Sequence, residues 1–396
     1  MKILHTSDWH LGHELYNYKR ADEFEHFFAQ LTDIVKREQP DVMLVCGDVF
    51  HSAVPSAATQ TMYTEALLQI HQVCPEMEMI VAAGNHDSAS RLEIDKSLWH
   101  HFRVHVIGTL DRTSEGVNFD SHIIRVKDKG YVAAVPHVFK QNFPGEGDAE
   151  SRQRQFYQNL AERMDVVNSE GLPTVLMAHV AVDEGESSFE DVGGMEYFPF
   201  TILGEGYDYI ALGHLHRPHK VPHGNPRIRY CGAPVAISFN EEYEHSVTLV
   251  ELTHLEEPQL QVVPIHQLRP VLTIPEEPEA YEDVLKILAD FPDDNTSYIC
   301  LNVKSDVGLP VDSNERALVI SKDKKCRFCK YKLTHNRCVQ YAQAHNSISV
   351  DEFISMQPED IARRFLESEG YLEDTLKEFM AMMKETTNLI QEEKSR

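Results

Sequence analysis

Five apolar runs in this chain each stop at a short polar motif, and no other feature narrows the fold as much. Ile3-Leu4 runs out into Thr6-Ser7-Asp8-Trp9-His10, and Val42 to Cys46 into Gly47-Asp48. Met79 to Ala83 meets Gly84-Asn85-His86-Asp87, Thr174 to Ala178 meets His179, and Tyr209 to Leu212 meets Gly213-His214-Leu215-His216. Short apolar runs bounded by turn residues read as buried strands. Helical periodicity fills the gaps. Phe24, Phe27, Phe28, Leu31, Ile34 and Val35 share one face of a helix that Pro40 stops, and a second helix runs from about Ser56 to Gln72. Extended segments at Arg227 to Cys231, Ser246 to Leu252 and Gln259 to Pro264 bring enough strands for two packed sheets in a mixed α/β fold.

Ligands of α/β sheets gather outside the carboxyl ends of strands, so the five motifs can converge on one site. In extended backbone, positions i and i+2 face the same way, so Asp8 with His10, and His214 with His216, can approach an ion together. Taken singly, each motif has an ordinary explanation: a turn with a solvated histidine, a helix-entry turn capped by Asp48, a core histidine at 179. The ordered set of five, each at a strand end, does not. Asp8, Asp48, Asn85, His10, His179, His214 and His216 are too many donors for one ion and enough for two, about 3.5–4 Å apart. Oxygen and imidazole donors without thiolates suit Mn, Fe or Zn.

With 396 residues the chain exceeds what one core usually fills. A Pro/Glu-rich stretch, Leu268 to Pro278, marks the expected boundary, which gives a large domain over 1–267. A small α+β domain follows over 268–345, with a helix at Tyr281 to Asp290 and strands at Tyr298 to Val303 and Arg316 to Ile320. A helical tail covers 346–396: Pro358 opens a helix through Glu369, Gly370 breaks it, and Phe365, Leu372, Leu376, Phe379, Met380 and Met383 supply the apolar face. The opening residues are too short an apolar run for a signal peptide, and no stretch is long enough for a membrane span. Seven cysteines, mostly inside apolar runs, fit a reduced cytosolic protein.

The formal net charge of -26 weighs against unaided DNA binding, although bound cations neutralise carboxylates locally. Basic residues are concentrated instead. Lys322 to Lys332 holds six cations and one aspartate, +5 over eleven residues, with Phe328 and Tyr331 interleaved. This run reads either as a contact for phosphate and bases or as a solvated strand or hairpin. Cys326-x-x-Cys329, His335 and Cys338 superficially resemble a zinc knuckle with irregular spacing; the alternative is plain thiols.

The ordered motifs resemble the calcineurin-like metallophosphoesterase superfamily. Thr6-Ser7-Asp8-Trp9-His10-Leu11-Gly12, Gly47-Asp48-Val49-Phe50-His51 and Ala211-Leu212-Gly213-His214-Leu215-His216 look like its SbcD branch of double-strand-break repair nucleases. The resemblance implies a β-sandwich flanked by helices, a capping domain that contacts DNA, and a tail that docks an ATPase partner. It implies one ion on Asp8, His10 and His216, another on Asn85, His179 and His214, and Asp48 bridging both, with Mn2+ as the metal. His86 would serve as general acid or transition-state stabiliser, and His51 would face the substrate. The implied activity is metal-dependent DNA cleavage: a double-strand 3'-5' exonuclease and a single-strand and hairpin endonuclease acting in DNA end processing, repair and recombination. The implied partners are an SbcC-type SMC-like ATPase in a heterotetramer, DNA ends and hairpins, and a second copy met through helices near 56–72 and 88–101. The implied place is the cytosol, beside the nucleoid, with no membrane. Other enzymes of the superfamily fit less well. Val49-Phe50-His51-Ser52-Ala53 lacks the arginine that phosphoprotein phosphatases carry after the bridging aspartate, and the chain runs well past a catalytic domain. An inactive scaffold for the ATPase sits poorly with seven intact ligand candidates.

Overall fold

The computed structural model describes residues 1–114, 116–183, 197–222, 225–306, 308–334 and residue 379. The chain divides into two compact units, Met1–Thr334 and His335–Arg396, and the elements below belong to the first.

Strand residues alternate between two buried environments, and that alternation creates the layers. In the strand Val42–Cys46, Val42, Leu44 and Cys46 enter one core, whereas Met43 and Val45 enter another. Glu78–Ala82 divides likewise, with Ile80 and Ala82 on the first side and Met79 and Val81 on the second. Thr174–His179 and Tyr209–Gly213 place Val175, Met177, Tyr209 and Ala211 in that same first core. It is therefore the seam between two sheets, each with a second, helix-covered face.

One sheet runs in the order Gln259–Pro264, Ser246–Glu251, Lys2–Thr6, Val42–Cys46, Glu78–Ala82, Val104–Ile107, antiparallel at the first two pairings and parallel thereafter. The other runs His219–Lys220, Ile228–Tyr230, Tyr209–Gly213, Thr174–His179, Gly130–Val135, Ile123–Val126, parallel in its centre and antiparallel at both edges. The helix Ala21–Glu38 covers the first sheet with Phe24, Phe27, Phe28, Leu31, Ile34 and Val35, and it ends before Pro40 on a left-handed Gln39. Ala57–Val73 lies beside it, capped where Ser56 accepts from the Thr59 amide at 3.2 Å. Ala149–Val167 covers the second sheet. The α/β sandwich flanked by helices is the architecture expected from the sequence.

Residues 88–101 do not form one helix. They make two four-residue helices, Ala89–Leu92 and Lys96–Trp99, and a 3-10 turn at His100–Phe102.

A third, parallel sheet joins Val271–Ala280, Tyr298–Lys304 and Arg327–Thr334, with helices Tyr281–Asp290 and Ser313–Ser321 as crossovers. One expectation gains detail here and one changes. The Pro/Glu-rich stretch is an edge strand, where proline costs no ladder bond, and the chain leaves the sandwich before it. Arg316 to Ile320 is helical: Ser313, Ala317 and Ser321, one helical face, are buried, while Leu318 and Val319 are exposed. The β-branched run imitates a strand, but small residues do the packing. Leu15, Ala236 and Phe239 of the sandwich pack with Val271, Tyr298 and Cys300, so the third sheet is seated on the sandwich by an apolar contact. The expected tail, with its two helices, lies outside the described residues.

Candidate metal centre

Within each sheet the motif-bearing strands run parallel to one another, so their carboxyl ends lie at one edge of the sandwich. The loops beyond them interlock. Asp8 and His10 donate backbone N–H bonds to the carbonyls of Gly47 and Asp48, both at 3.0 Å, and Leu11 donates to Val49 at 2.9 Å. Glycine is required where these loops touch. A Cβ on Gly84 would stand 2.0 Å from Asp48 Oδ1, and one on Gly47 would stand 2.1 Å from His179 Nδ1. Asp8, His10, Asp48 and His214 all have positive φ, at 52°, 47°, 49° and 102°. Extended geometry is thus not what aims them. Asp8 and His10 converge through left-handed turns, and His214 and His216 diverge into separate groups.

The first group is Asp8, His10 and His216. His10 Nε2 and His216 Nε2 face each other at 3.1 Å. His216 donates through Nδ1 to Glu241 Oε1 at 3.1 Å, which leaves Nε2 as a lone-pair donor. Asp8 accepts the His214 amide at 3.1 Å and the Ser7 hydroxyl. The second group is Asp48, His179 and His214, with Asn85 among them: Asn85 Oδ1 is 3.0 Å from His179 Nε2 and 2.9 Å from His214 Nδ1. His179 donates through Nδ1 to the Cys46 carbonyl at 2.8 Å, so its Nε2 faces the acceptors Asn85 Oδ1 and Asp48 Oδ2, and a proton or a cation must sit between them. Asp48 joins the groups. Its Oδ2 lies 3.6 Å from His10 Nε2 and 3.5 Å from His179 Nε2, while Oδ1 accepts the His86 amide at 2.9 Å.

Acceptors facing acceptors fit cations. A proton can satisfy only one such pair, whereas a divalent ion in each group satisfies them all. The charge balance has the same sense. Burial works against charge on His179, but the Asp48 carboxylate outweighs it and raises the imidazole to about 9. Burial also opposes ionisation of Asp48, yet the His179 and His10 rings and the His86 amide hold its carboxyl far below the usual range. Burial keeps His10 and His214 neutral, His214 down to about 3, which is the ligating form.

His86 and His51 stand beside the first group. The His86 ring lies 4.9 Å from His10 and stacks at 5.6 Å on His51, and His86 Nδ1 is 3.0 Å from the His51 carbonyl. His86 Nε2 is thereby the nitrogen left for exchange with a substrate. Three supporting residues lie outside the set of ligand candidates. Glu241 orients His216. Asp87 accepts the amides of Gly84, Val49 and Phe50 at 2.8, 3.1 and 2.8 Å and pins two motif loops together. His137 stacks at 6.4 Å on His214. Asp87 was visible as the last letter of its motif; Glu241 had no signal, because it comes from a loop 25 residues beyond His216.

Away from this edge, the basic run is partly committed to the fold. Arg327 lies over Tyr18 and Tyr298, Lys330 over Tyr16 and Phe239, and Lys324 pairs with Asp293 at 2.7 Å. Lys322, Lys325 and Lys332 are exposed. Phe328 is buried in the core of the third sheet and cannot stack on a base. Among the described residues no three-membered ligand group includes a cysteine, and His335 and Cys338 lie outside them.

The family model of the calcineurin-like phosphoesterases matches residues 1–218. A Rhodobacter capsulatus protein, named as the SbcD subunit of the nuclease SbcCD, is 34% identical over 69% of this chain and 72% of its own length. Proteins of the same name from Bacillus subtilis and Escherichia coli are 30% and 28% identical, over 69% and 63% of this chain and 71% and 65% of their own. No helix of the described residues is long and apolar enough to cross a membrane. A phosphoesterase sandwich with a paired ligand cluster at its edge, and this degree of identity to nuclease subunits, make the chain a member of the calcineurin-like phosphoesterases, in the branch of the SbcD nuclease subunits.

Proposed function

We propose that the chain is a DNA phosphodiesterase in which Asp8, His10 and His216 hold one divalent ion, Asn85, His179 and His214 hold the other, and Asp48 serves both. The observation that carries this reading is Asp48 Oδ2, set almost equally between His10 and His179. When bound, two such ions supply Lewis-acid stabilisation of the phosphate and a nucleophile at neutral pH. The chain's own residues do the rest. Glu241 and the Cys46 carbonyl fix the tautomers of His216 and His179, Asp87 holds the motif loops in register, and the His51 carbonyl turns His86 so that Nε2 is free to protonate the leaving oxygen.

The finer parts of the reading rest on the family. The ions are Mn2+. The activity is 3'-5' on duplex ends and endonucleolytic on single strands and hairpins. Residues 268–345 contact DNA through the exposed lysines, and 346–396 dock an SbcC-type SMC-like ATPase. Two copies and two ATPases form a heterotetramer, with the copies meeting near 56–72 and 88–101, in the cytosol beside the nucleoid. Labelled DNA hairpins and small chromogenic phosphodiesters, assayed with each metal in turn, test the core of it. Cleavage is expected to vanish in chelator and to return best with Mn2+ and poorly with Mg2+. Full cleavage after thorough metal stripping would refute it.

A further inference from the structure

His13 is not among the metal-binding groups, yet it is 9% exposed and packed against one residue of the site. Its ring meets that of His51 edge to face, with centroids 4.6 Å apart and planes at 77°. The loops that carry the two histidines are zipped together, because the His51 amide donates to the Leu11 carbonyl at 3.0 Å. Behind His13 stands Arg20, a fully buried cation. Arg20 Nη1 donates to His13 Nδ1 at 3.1 Å and to the Ala236 carbonyl at 2.7 Å. A guanidinium only donates, so His13 Nδ1 accepts and the ring proton sits on Nε2. Burial and the Arg20 charge keep that ring neutral, down to about 3. Arg20 is itself clamped by Glu23 Oε2, at 2.9 Å from Nε and 2.6 Å from Nη2. The other Glu23 oxygen accepts the Tyr298 hydroxyl at 2.5 Å, and Tyr298 belongs to the central strand of the third sheet. Arg327, on the neighbouring strand, donates to the same hydroxyl at 2.9 Å.

We propose that His13 is a positioning residue for His51, and that the buried chain Tyr298–Glu23–Arg20–His13 makes the set of His51 depend on how the third sheet is seated. The inference rests on the reading that His51 faces substrate. A buried chain in which each member is hydrogen-bonded to the next has few alternative arrangements. His13 therefore holds the His51 ring still at one contact while His86 stacks on it at another, which fixes how His51 is presented to the phosphodiester. Engagement of the third sheet's exposed lysines by a DNA backbone bears on Tyr298 and Arg327 first, and through them on His51.

The test uses full-length protein loaded with Mn2+, a chromogenic thymidine phosphodiester, and metal content measured by mass spectrometry. His13→Ala is expected to lower kcat about tenfold, with KM and two-ion occupancy unchanged, because a group acting through a catalytic neighbour is lost from the transition state only. His13→Gln should recover most of that loss, since its amide oxygen can accept from Arg20. Tyr298→Phe should lower kcat in the same direction by about threefold, and it carries the test alone should His13→Ala not fold. The deciding comparison is with His51→Ala. In that background His13→Ala and Tyr298→Phe should cost nothing further. Independent, multiplicative losses would overturn the proposal, as would loss of metal from His13→Ala. A His51→Ala variant that turns over at the full rate would instead remove the reading of His51 on which the proposal stands.

Discussion

At the scale of single residues, the centre is held by backbone that side chains seldom accept. Left-handed conformations at Asp8, His10, Asp48 and His214 cost about 1–3 kcal/mol each, and interlocked loops hold them in place. Substitutions here should separate ligand from catalyst. Asp48→Asn is expected to lose metal occupancy together with cleavage, because its Oδ2 serves both groups; His86→Ala should keep both metals and still fail on DNA. Metal analysis beside activity decides it, and a stripped His86→Ala protein would make His86 a ligand. His5, between the sheets, gives a different prediction. Its Nδ1 meets the Tyr209 hydroxyl at 2.9 Å and its Nε2 the Leu212 carbonyl at 3.2 Å, so the neutral ring is fully satisfied. Burial, then the Arg229 charge, lowers it from 6.5 to about 3. Its contribution is complete above pH 6.5 and is lost as pH falls toward 3, since only the unfolded chain takes the proton readily in that window. His5→Gln should therefore flatten the stability slope by about 1.4 kcal/mol per pH unit between pH 6 and 4. Urea unfolding across that range checks it, and an unchanged slope would refute it. Each donor in the centre was legible from its place at a strand end. The geometry was not, because i and i+2 positions behave as a pair only in extended backbone. Glu241 was silent, since its role depends on a loop folding back across the edge.

At the scale of elements, long periodic segments were readable and short β-branched ones were not. Ala21–Glu38 shows its buried face as phenylalanines and aliphatics at helical spacing, and the sandwich strands as apolar runs. Ser313–Ser321 inverts the rule: Leu318 and Val319 point outward while the small Ser313, Ala317 and Ser321 point inward, so its pattern suggested a strand. Ala317 is fully buried in the cluster of Val284, Ile299, Leu301 and Phe328, where a longer side chain has to displace packed neighbours. Ala317→Leu should destabilise by about 1–3 kcal/mol through overpacking. Leu318→Gln, on the exposed face, should stay within about 0.5 kcal/mol. Denaturant midpoints of the two variants test this directly, and equal losses would mean that the helix packs by its other face. The Val271–Ala280 edge strand was hidden for a related reason. Its prolines and glutamates are tolerated because an edge strand needs neither a full ladder nor two apolar faces.

At the scale of the whole molecule, the charge of -26 must coexist with a polyanionic substrate. Among the described residues of the basic run, half of the cations are spent within the fold, so DNA affinity from the first compact unit alone is expected to be modest and salt-sensitive. Residues 351 to 396 cannot add to it, with twelve acidic and six basic residues. Their apolar positions, Phe365, Leu372, Leu376, Phe379 and Met383, recur at helical spacing and suit a groove or a coiled coil. The helix pair expected from the sequence would be marginal in water without something to pack on. The tail is thus better suited to hold a protein partner than to hold DNA, which fits the proposal that an SMC-like ATPase binds there. Removal of everything after Ser349 should leave the ligand groups, all within Met1–Thr334, intact and able to cut short single-stranded DNA with Mn2+. The same truncation should abolish co-purification with the ATPase and ATP-dependent cutting of duplex ends. A truncated chain that still holds the ATPase at full strength would refute the assignment. One that loses its metal-dependent cleavage would show instead that the tail contributes to the catalytic fold.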